Sequence, residues 1–450
     1  MNTMQDKTIS GFSRLSKAEK IAWLIREWLP QEDQSEEIIR SFWHTDAEVQ
    51  RILDGFSENT LTNFFMPYGI APNFRINERM YAVPMVIEES SVVAAAASAA
   101  KFWLSRGGFT AQVLSTVKIG QVHFSWGGAS ELMLPHLPAL KSYLLQEVAH
   151  LTENMVKRGG GVLDIEWLDL THLEPDYYQL KVTFETCDSM GANFINSVLE
   201  QFGRSLHTFV QNPELFSGSA HDLTVIMAIL SNYTPECVVR ASVECPVEQL
   251  MGVCADMPGE AFAKKFRQAV RIAEIDPYRA TTHNKGIFNG VDAVVLATGN
   301  DFRAVEACGH AHAASTGQYQ SLSHCDLSEG TFRFWMELPL ALGTVGGLTR
   351  LHPMARLSLA ILGQPSAAEL MEVIASTGLA QNFAAVRSLT TTGIQKGHMK
   401  MHLMNILNHL GANTTEQQQA CDFFADKTVS FTAVRDFLQG RRNGQAASAK

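Results

Sequence analysis

The chain is 450 residues long, 46% hydrophobic and 18% charged, with a formal net charge of -10. That length exceeds one hydrophobic core and predicts two or three domains in a soluble, enzyme-like protein. The acidic balance argues against general affinity for nucleic acid or anionic membrane, because both need a basic footprint to release counterions; an anionic ligand must meet a local basic site.

The N-terminal "MNTMQDKTISGFSRLSKAEKIAWLIREWL" scatters its charges and does not read as a signal peptide. Within it, Ser16 and Glu19 form a capping-box pattern that starts a helix over "IAWLIREWL". The most apolar stretch, "SVVAAAASAA" from Ser91 to Ala100, is too short to span a bilayer, and its small side chains suit a core helix buried on every side. From Thr110 the pattern turns mixed: "AQVLSTVKIGQVHFSW" predicts strands, "LPALKSYLLQEVAHLTENMVKR" a helix, Gly159 to Gly161 a turn, "YQLKVTFETC" a strand and "ANFINSVLEQFGRSLHTF" a helix. This reads as an inserted α+β unit ending near Ala220. Helix-rich sequence then returns, with "FRAVEACGHAHAAS" and "ARLSLAILG". "TGIQKG" from Thr392 opens a separate C-terminal unit, and the last residues, "GRRNGQAASAK", lack apolar anchors and predict disorder. Seven cysteines (187, 237, 245, 254, 308, 325, 421), without a Cys-x-x-Cys pair, argue against a disulfide framework or structural zinc and suit a reduced, cytoplasmic protein.

Four places carry residues suited to chemistry. In "CDSMGANFINSVLEQF" a strand ends, a turn holds Asp188 and Gly191, and a helix follows whose first N–H groups suit a phosphate; a plain strand-turn-helix with a capping aspartate explains the same pattern. Glu88 and Glu89 precede the Ser91–Ala100 stretch. An inward-pointing carboxyl there becomes a general acid, whereas an outward one only offsets the helix dipole. In "HNKGIFNGVDAVVLATGND", Lys285 and Asp301 flank an apolar run, an arrangement that keeps an ammonium charged where water is scarce. Asp301 serves equally as the N-cap of the next helix, and His283 reads as a packed or turn histidine. In "GHMKMH", His398 and His402 share a helix face at spacing four; without a third ligand no metal is expected, and a histidine on a mobile segment suits a late proton donor.

Together "RINERMYAVPMVIEESSVVAA", "DSMGANFIN", "DPYRATTHNKGIFNGVDAVVLATGNDFRAVEA" and "GIQKGHMKMH" resemble, in order and spacing, 3-hydroxy-3-methylglutaryl-CoA reductase of class II, the bacterial and archaeal type. The resemblance implies interconversion of hydroxymethylglutaryl-CoA with mevalonate and CoA by two hydride transfers from NADH or NADPH. It implies Glu89, Lys285, Asp301 and His398 as catalytic residues, and Ser91, Arg279, Asn289 and His402 at the substrate, with Arg279 facing its free carboxylate. Asp188, Met190, Gly191, Ala192 and Asn193 correspond to the cofactor motif. The implied architecture is α+β. A large helical domain around a central buried helix (1–110 and 221–391) receives an inserted cofactor domain (111–220), and a C-terminal flap (392–450) closes over the substrate. The site forms between two subunits, so the partners are the acyl-CoA substrates and at least one further copy of the chain.

The chemistry accounts for this set. Lys285 meets the charge that develops on the thioester oxygen, protonated Glu89 donates to the aldehyde oxygen, Asp301 tunes both, and His398 protonates the departing CoA thiolate. Three positions depart from the family pattern: Ser90 stands where proline is common, Ser189 replaces alanine, and Phe302 replaces tryptophan. Cofactor choice turns on "HLTENMVKRGGG", where Glu153 suits a ribose hydroxyl and Lys157 or Arg158 a phosphate. Two rival readings are a different CoA-linked oxidoreductase using Cys308 as nucleophile and a non-catalytic acyl-CoA-binding protein.

Overall fold

The computed structural model describes residues 7–29, 32–251, 253, 257–391, 403–425 and 427–448, with side chains described through residue 442. Strands form where β-branched and aromatic residues alternate with polar ones. In chain order they are β1 (Tyr68–Ile76), β2 (Arg79–Val86), β3 (Thr110–Val113), β4 (Lys118–Trp126), β5 (Gly161–Asp169), β6 (Tyr177–Glu185), β7 (Leu223–Leu230), β8 (Val238–Pro246), β9 (Ser323–Asp326) and β10 (Thr331–Pro339). Helices and strands mix throughout, an α+β fold.

The largest core gathers around an antiparallel sheet of order β3-β8-β10-β9. Alternation along β10 buries Phe332, Phe334, Met336 and Leu338, and a long helix, Ala367–Thr390, lies among the residues they pack with. That helix opens with a capping box, Ser366 with Glu369, and its residues 373–384 are all buried, so it is the central helix of the fold. The helix Pro277–Ala297 crosses it at glycines. A Cβ on Gly290 would stand 2.8 Å from the Thr377 carbonyl oxygen, and one on Gly378 2.7 Å from Val291 Cγ2. Only hydrogen fits at either place, so the two backbones pack almost directly against each other.

The stretch read as a helix buried on every side is instead one-sided. In the helix Val92–Leu104, Ala96, Ala99, Ala100 and Trp103 face the core while Ala94, Ser98 and Lys101 face outward. Small side chains say how closely a helix can be approached, and not from how many directions.

A second core lies under a sheet of order β5-β6-β4-β7, every pairing antiparallel. Helices Leu137–Glu147 and Ala149–Val156 follow β4, and helix Ala192–Val210 follows β6, which makes a split βαβ arrangement. Val122, Phe124, Leu180, Val182 and Phe184 pack on Ile195, Val198, Leu199 and Phe202. Where the sequence reading drew its boundaries near 110 and 220, β3 pairs with β8 in the large sheet and β7 pairs with β4 in this one. Sheet membership therefore changes between β3 and Lys118 on one side and after Leu230 on the other.

A third cluster, Leu403, Ile406, Leu407, Ala420, Phe424, Val434 and Leu438, is formed by C-terminal residues alone. The tail expected to be disordered continues the helix Phe431–Ser448. Val434 and Leu438 anchor its start, and Arg442 forks onto Glu416 at 2.7 and 3.0 Å, holding that carboxyl down at about 2.

Candidate active site

The helix Pro277–Ala297 begins where Asp276 accepts the Tyr278 N–H at 3.0 Å and Pro277 occupies the first helical position. One face is dry. His283, 2% exposed, meets Ser323 Oγ through Nε2 at 2.6 Å, and Ser323 Oγ donates to Asn382 Oδ1 of the central helix at 2.8 Å. Burial, reinforced by the charge of Arg279, pushes the His283 imidazole down to about 3, so it stays neutral. Asn284 bonds the Gln320 carbonyl and the Leu322 N–H at 2.8 and 3.0 Å. Both residues before Lys285 thus pin the helix from behind, and Lys285 itself points away from the core.

Its ammonium lies 2.5 Å from Glu89 Oε2, joining residues 196 apart in sequence. Glu89 sits in the reversal that follows β2; the reversal ends at Ser91, whose φ of +77° is left-handed, a sparsely populated state for serine. Glu88 turns outward. The sequence reading placed Lys285, together with Asp301, where water is scarce. In the single chain the Lys285 side chain is 60% exposed and that of Glu89 36%. An ion pair so open contributes ~1 kcal/mol or less to stability, so placing charge is the better account of its role.

Asn289 lies one turn beyond Lys285 on the same face. Asp292 follows, its carboxyl pushed up to about 8 by burial and by the neighbouring Glu306 carboxyl, with which it hydrogen-bonds. Arg279 is half-buried, which lowers its guanidinium from its usual range, and no carboxylate among the described residues pairs with it. An unpaired, partly dry guanidinium suits a substrate carboxylate.

Asp301 takes the N-cap role. It accepts the N–H groups of Arg303 and Ala304 at 3.0 and 3.3 Å and pairs with the Arg303 guanidinium at 3.2 Å. The structure thus brings Lys285 to Glu89 and holds Asp301 against Arg303. No Lys285–Asp301 contact occurs in the single chain among the described residues.

Asp301 and Arg303 line a cavity of about 1300 Å³ whose wall also includes Met190, Gly191, Ala192 and Asn193. Helix Ala192–Val210 starts on this wall with neither a side-chain cap nor an acidic residue in its first turn, leaving its leading N–H groups free for an anion. Gly191, at φ +86°, tolerates no side chain: a Cβ would stand 2.4 Å from Thr186 Cγ2. Asp188 is placed differently. It is not part of the wall, and its Oδ1 accepts the Ala367 N–H at 2.7 Å, tying this turn to the start of the central helix.

The sequence reading missed the loop that flanks this turn. In "LGTVGGLT", Gly343 abuts the turn so closely that a Cβ would lie 2.5 Å from Met190 N, and Val345, Gly346, Gly347, Leu348 and Thr349 line the cavity with it. Three glycines within five residues were the available signal. The candidate cofactor selectors are partly engaged elsewhere: Lys157 pairs with Glu153 at 2.6 Å, and Arg158 Nε donates to the Asn154 carbonyl. His398 and His402 lie outside the described residues.

The family model of hydroxymethylglutaryl-coenzyme A reductase matches residues 19–403. The chain is 33% identical over 444 residues to the 3-hydroxy-3-methylglutaryl-coenzyme A reductase of Archaeoglobus fulgidus, covering 97% of this chain and 95% of the other.

The chain belongs to the hydroxymethylglutaryl-coenzyme A reductase family.

A probable reductase of Borreliella burgdorferi is 31% identical over 432 residues, at 95% and 93% coverage. Among solved structures, the class II reductase of Streptococcus pneumoniae bound to NADPH in open conformations superposes with a TM-score of 0.69 at 37% identity, covering 85% of this chain and all of that one. Another structure of the Streptococcus pneumoniae reductase reaches 0.70 at 36% identity and covers 96% of this chain. As a class II hydroxymethylglutaryl-CoA reductase the chain is an NAD(P)H-dependent oxidoreductase. Among the described residues no helix is long and apolar enough to cross a membrane.

Membership in the reductase family disposes of Cys308 as a nucleophile, and so does its geometry. The thiol is buried, receives the Thr234 N–H at 3.4 Å, and is pushed up by desolvation, the reverse of what a thiolate nucleophile needs.

Proposed function

We propose that Lys285 and Glu89 carry the two reductions that take hydroxymethylglutaryl-CoA to mevalonate and CoA, or the reverse reaction. The observation behind this is their 2.5 Å approach on a helix pinned from its dry side. Lys285 neutralises the oxygen that turns anionic as the thioester is reduced, an interaction stronger in the transition state than in the ground state. Glu89, once protonated, donates to the aldehyde oxygen in the second reduction. Arg279 reads the free carboxylate, while Ser91 and Asn289 orient the acyl group.

The turn Met190–Asn193 and the Gly343–Thr349 loop fit a dinucleotide: free helix N–H groups start at the cavity wall, and Gly346 and Gly347, with open space where a side chain would stand, leave room for close backbone approach. Bound there, NADH or NADPH supplies the hydrides. Asp188 shapes this turn from behind.

The three cores correspond, in this reading, to a substrate domain, an inserted cofactor domain and a C-terminal flap. His398, on the flap, protonates the CoA thiolate, and His402 assists at the substrate. The openness of Lys285 and Glu89 supports a site completed by a second subunit and the flap, which exclude water and bring Asp301 into the charge network. The free cysteines support a cytoplasmic setting.

The test is oxidation of NADH and of NADPH, followed by absorbance, by purified protein given hydroxymethylglutaryl-CoA. Mevalonate formed in proportion to cofactor consumed is expected. Saturable acyl-CoA binding with no cofactor consumed would return the chain to the non-catalytic reading.

A further inference from the structure

We infer that Lys118 is a positioning residue for the cofactor, supplying from beneath the turn the positive charge that draws the dinucleotide diphosphate onto the start of helix Ala192–Val210. The inference rests on the proposed cofactor site at Met190–Asn193.

Lys118 opens β4 and is only 4% exposed, the one lysine buried from water among the described residues. Its Nζ donates to Thr186 Oγ1 at 2.7 Å, and that hydroxyl passes the bond on to the Ser189 carbonyl at 2.6 Å. No carboxylate pairs with Lys118 among the described residues. Glu185, one residue before Thr186, keeps its charge but directs both oxygens to partners other than Lys118: Oε1 accepts the Cys187 N–H at 2.7 Å and Oε2 the Thr116 hydroxyl. A buried ammonium without a counter-charge is expensive, and such groups persist where an anion repays the desolvation.

The turn places that anion. Thr186 is the residue against which Gly191 packs, so the chain from Thr186 to Gly191 wraps directly over the Lys118–Thr186 pair. Met190 forms part of the large cavity and also lines a small cleft of about 10 Å³, no more than one water, that contains Lys118, Thr234 and Cys308. One turn of backbone therefore separates the ammonium from the cavity. On the cavity side the helix offers its positive end with no acidic residue in the first turn. Two positive features face the same place, and although Glu185 and Asp188 belong to the same stretch, neither forms an ion pair with Lys118 and Asp188 is turned to the Ala367 N–H. Because Lys118 is dry, its field reaches through the turn with little screening.

The test uses the full-length enzyme with NADPH and NADH as probes, titrated by fluorescence without acyl-CoA. Lys118→Met, which keeps the stem and removes the charge, is expected to raise the Kd of both cofactors by about ten-fold or more. The hydroxymethylglutaryl-CoA KM should stay within about two-fold, and Lys118→Arg should recover part of the loss. A loosened fold would instead raise both constants and leave the arginine variant no better. Gly191→Val separates this inference from the reading beneath it: wild-type cofactor affinity in that variant overturns the cofactor site itself. Lost affinity in Gly191→Val together with wild-type affinity in a folded Lys118→Met overturns the role of Lys118 alone. Should Lys118→Met fail to fold, Lys118→Gln, which removes the charge but can still donate to the Thr186 hydroxyl, decides: a several-fold rise in Kd supports the inference, and an unchanged Kd ends it.

Discussion

The Lys285–Glu89 pair and the Thr186–Asn193 turn solve opposite problems. The pair is assembled from residues 196 apart, faces solvent and owes its place to a helix held from behind. The turn is local and tightly interlocked by Gly191 and Gly343, with a cation sealed under it. A cofactor that binds and leaves each cycle is served by a pocket built in advance, whereas a centre that stabilises transient charge works best once water is expelled. On the functions proposed for them, the single chain has finished the first and left the second open.

The largest expected effect sharpens this contrast: Lys285→Met should lower turnover by about 10²–10³-fold while NADPH affinity stays at the wild-type value. Steady-state rates and cofactor titration on one preparation check it, and a parallel loss of NADPH affinity would mean the two regions are not separate. Gly343→Val tests the other side. Its side chain must displace Met190, so the NADPH Kd should rise roughly ten-fold with a stability loss of about 1–3 kcal/mol.

Asp292 lies between these extremes and gives a pH signature. Its folded pKa is raised, so the proton it holds stabilises the native state fully below the unfolded value near 3.8, and that contribution is lost as pH climbs to about 8. Asp292→Asn has no proton to lose. The variant should gain on wild type by roughly 1–3 kcal/mol between pH 4 and 8, with no further gain above that. Thermal denaturation across pH checks the sign, and a constant difference would refute the shared proton. The smallest effect is on stability at the open pair: Glu89→Gln should change unfolding free energy by ~1 kcal/mol or less while reducing turnover strongly. A large drop in stability would show that the pair is drier than the single chain suggests.

What could be read beforehand followed the range of the interaction. The strand, turn and helix around Asp188–Asn193 were legible because each signal is local, and so was the N-cap role of Asp301. The union of Lys285 with Glu89 was not available from periodicity; it came only through family resemblance. β3 and β4 look alike in sequence, yet one pairs with β8 and the other with β6 and β7, a difference of partner that no local pattern carries. The Ser91–Ala100 composition was read as a helix buried on every side, whereas the most enclosed stretch is residues 373–384, where polar positions such as Ser376, Thr377 and Asn382 disguised it. The wall at Gly343–Thr349 escaped notice because its glycines follow no dinucleotide spacing.

The glycine crossing at Gly290 and Gly378 limits how far the amine of Lys285 can travel. With Gly290 set against the Thr377 carbonyl and Gly378 against the Val291 side chain, the helix has little room to slide or roll, so its Cα five residues before Gly290 is held in place by close packing. All the reach available to that nitrogen comes from its own flexible stem. Over two successive reductions on one acyl group, the reacting carbon must be carried to the lysine by whatever encloses it.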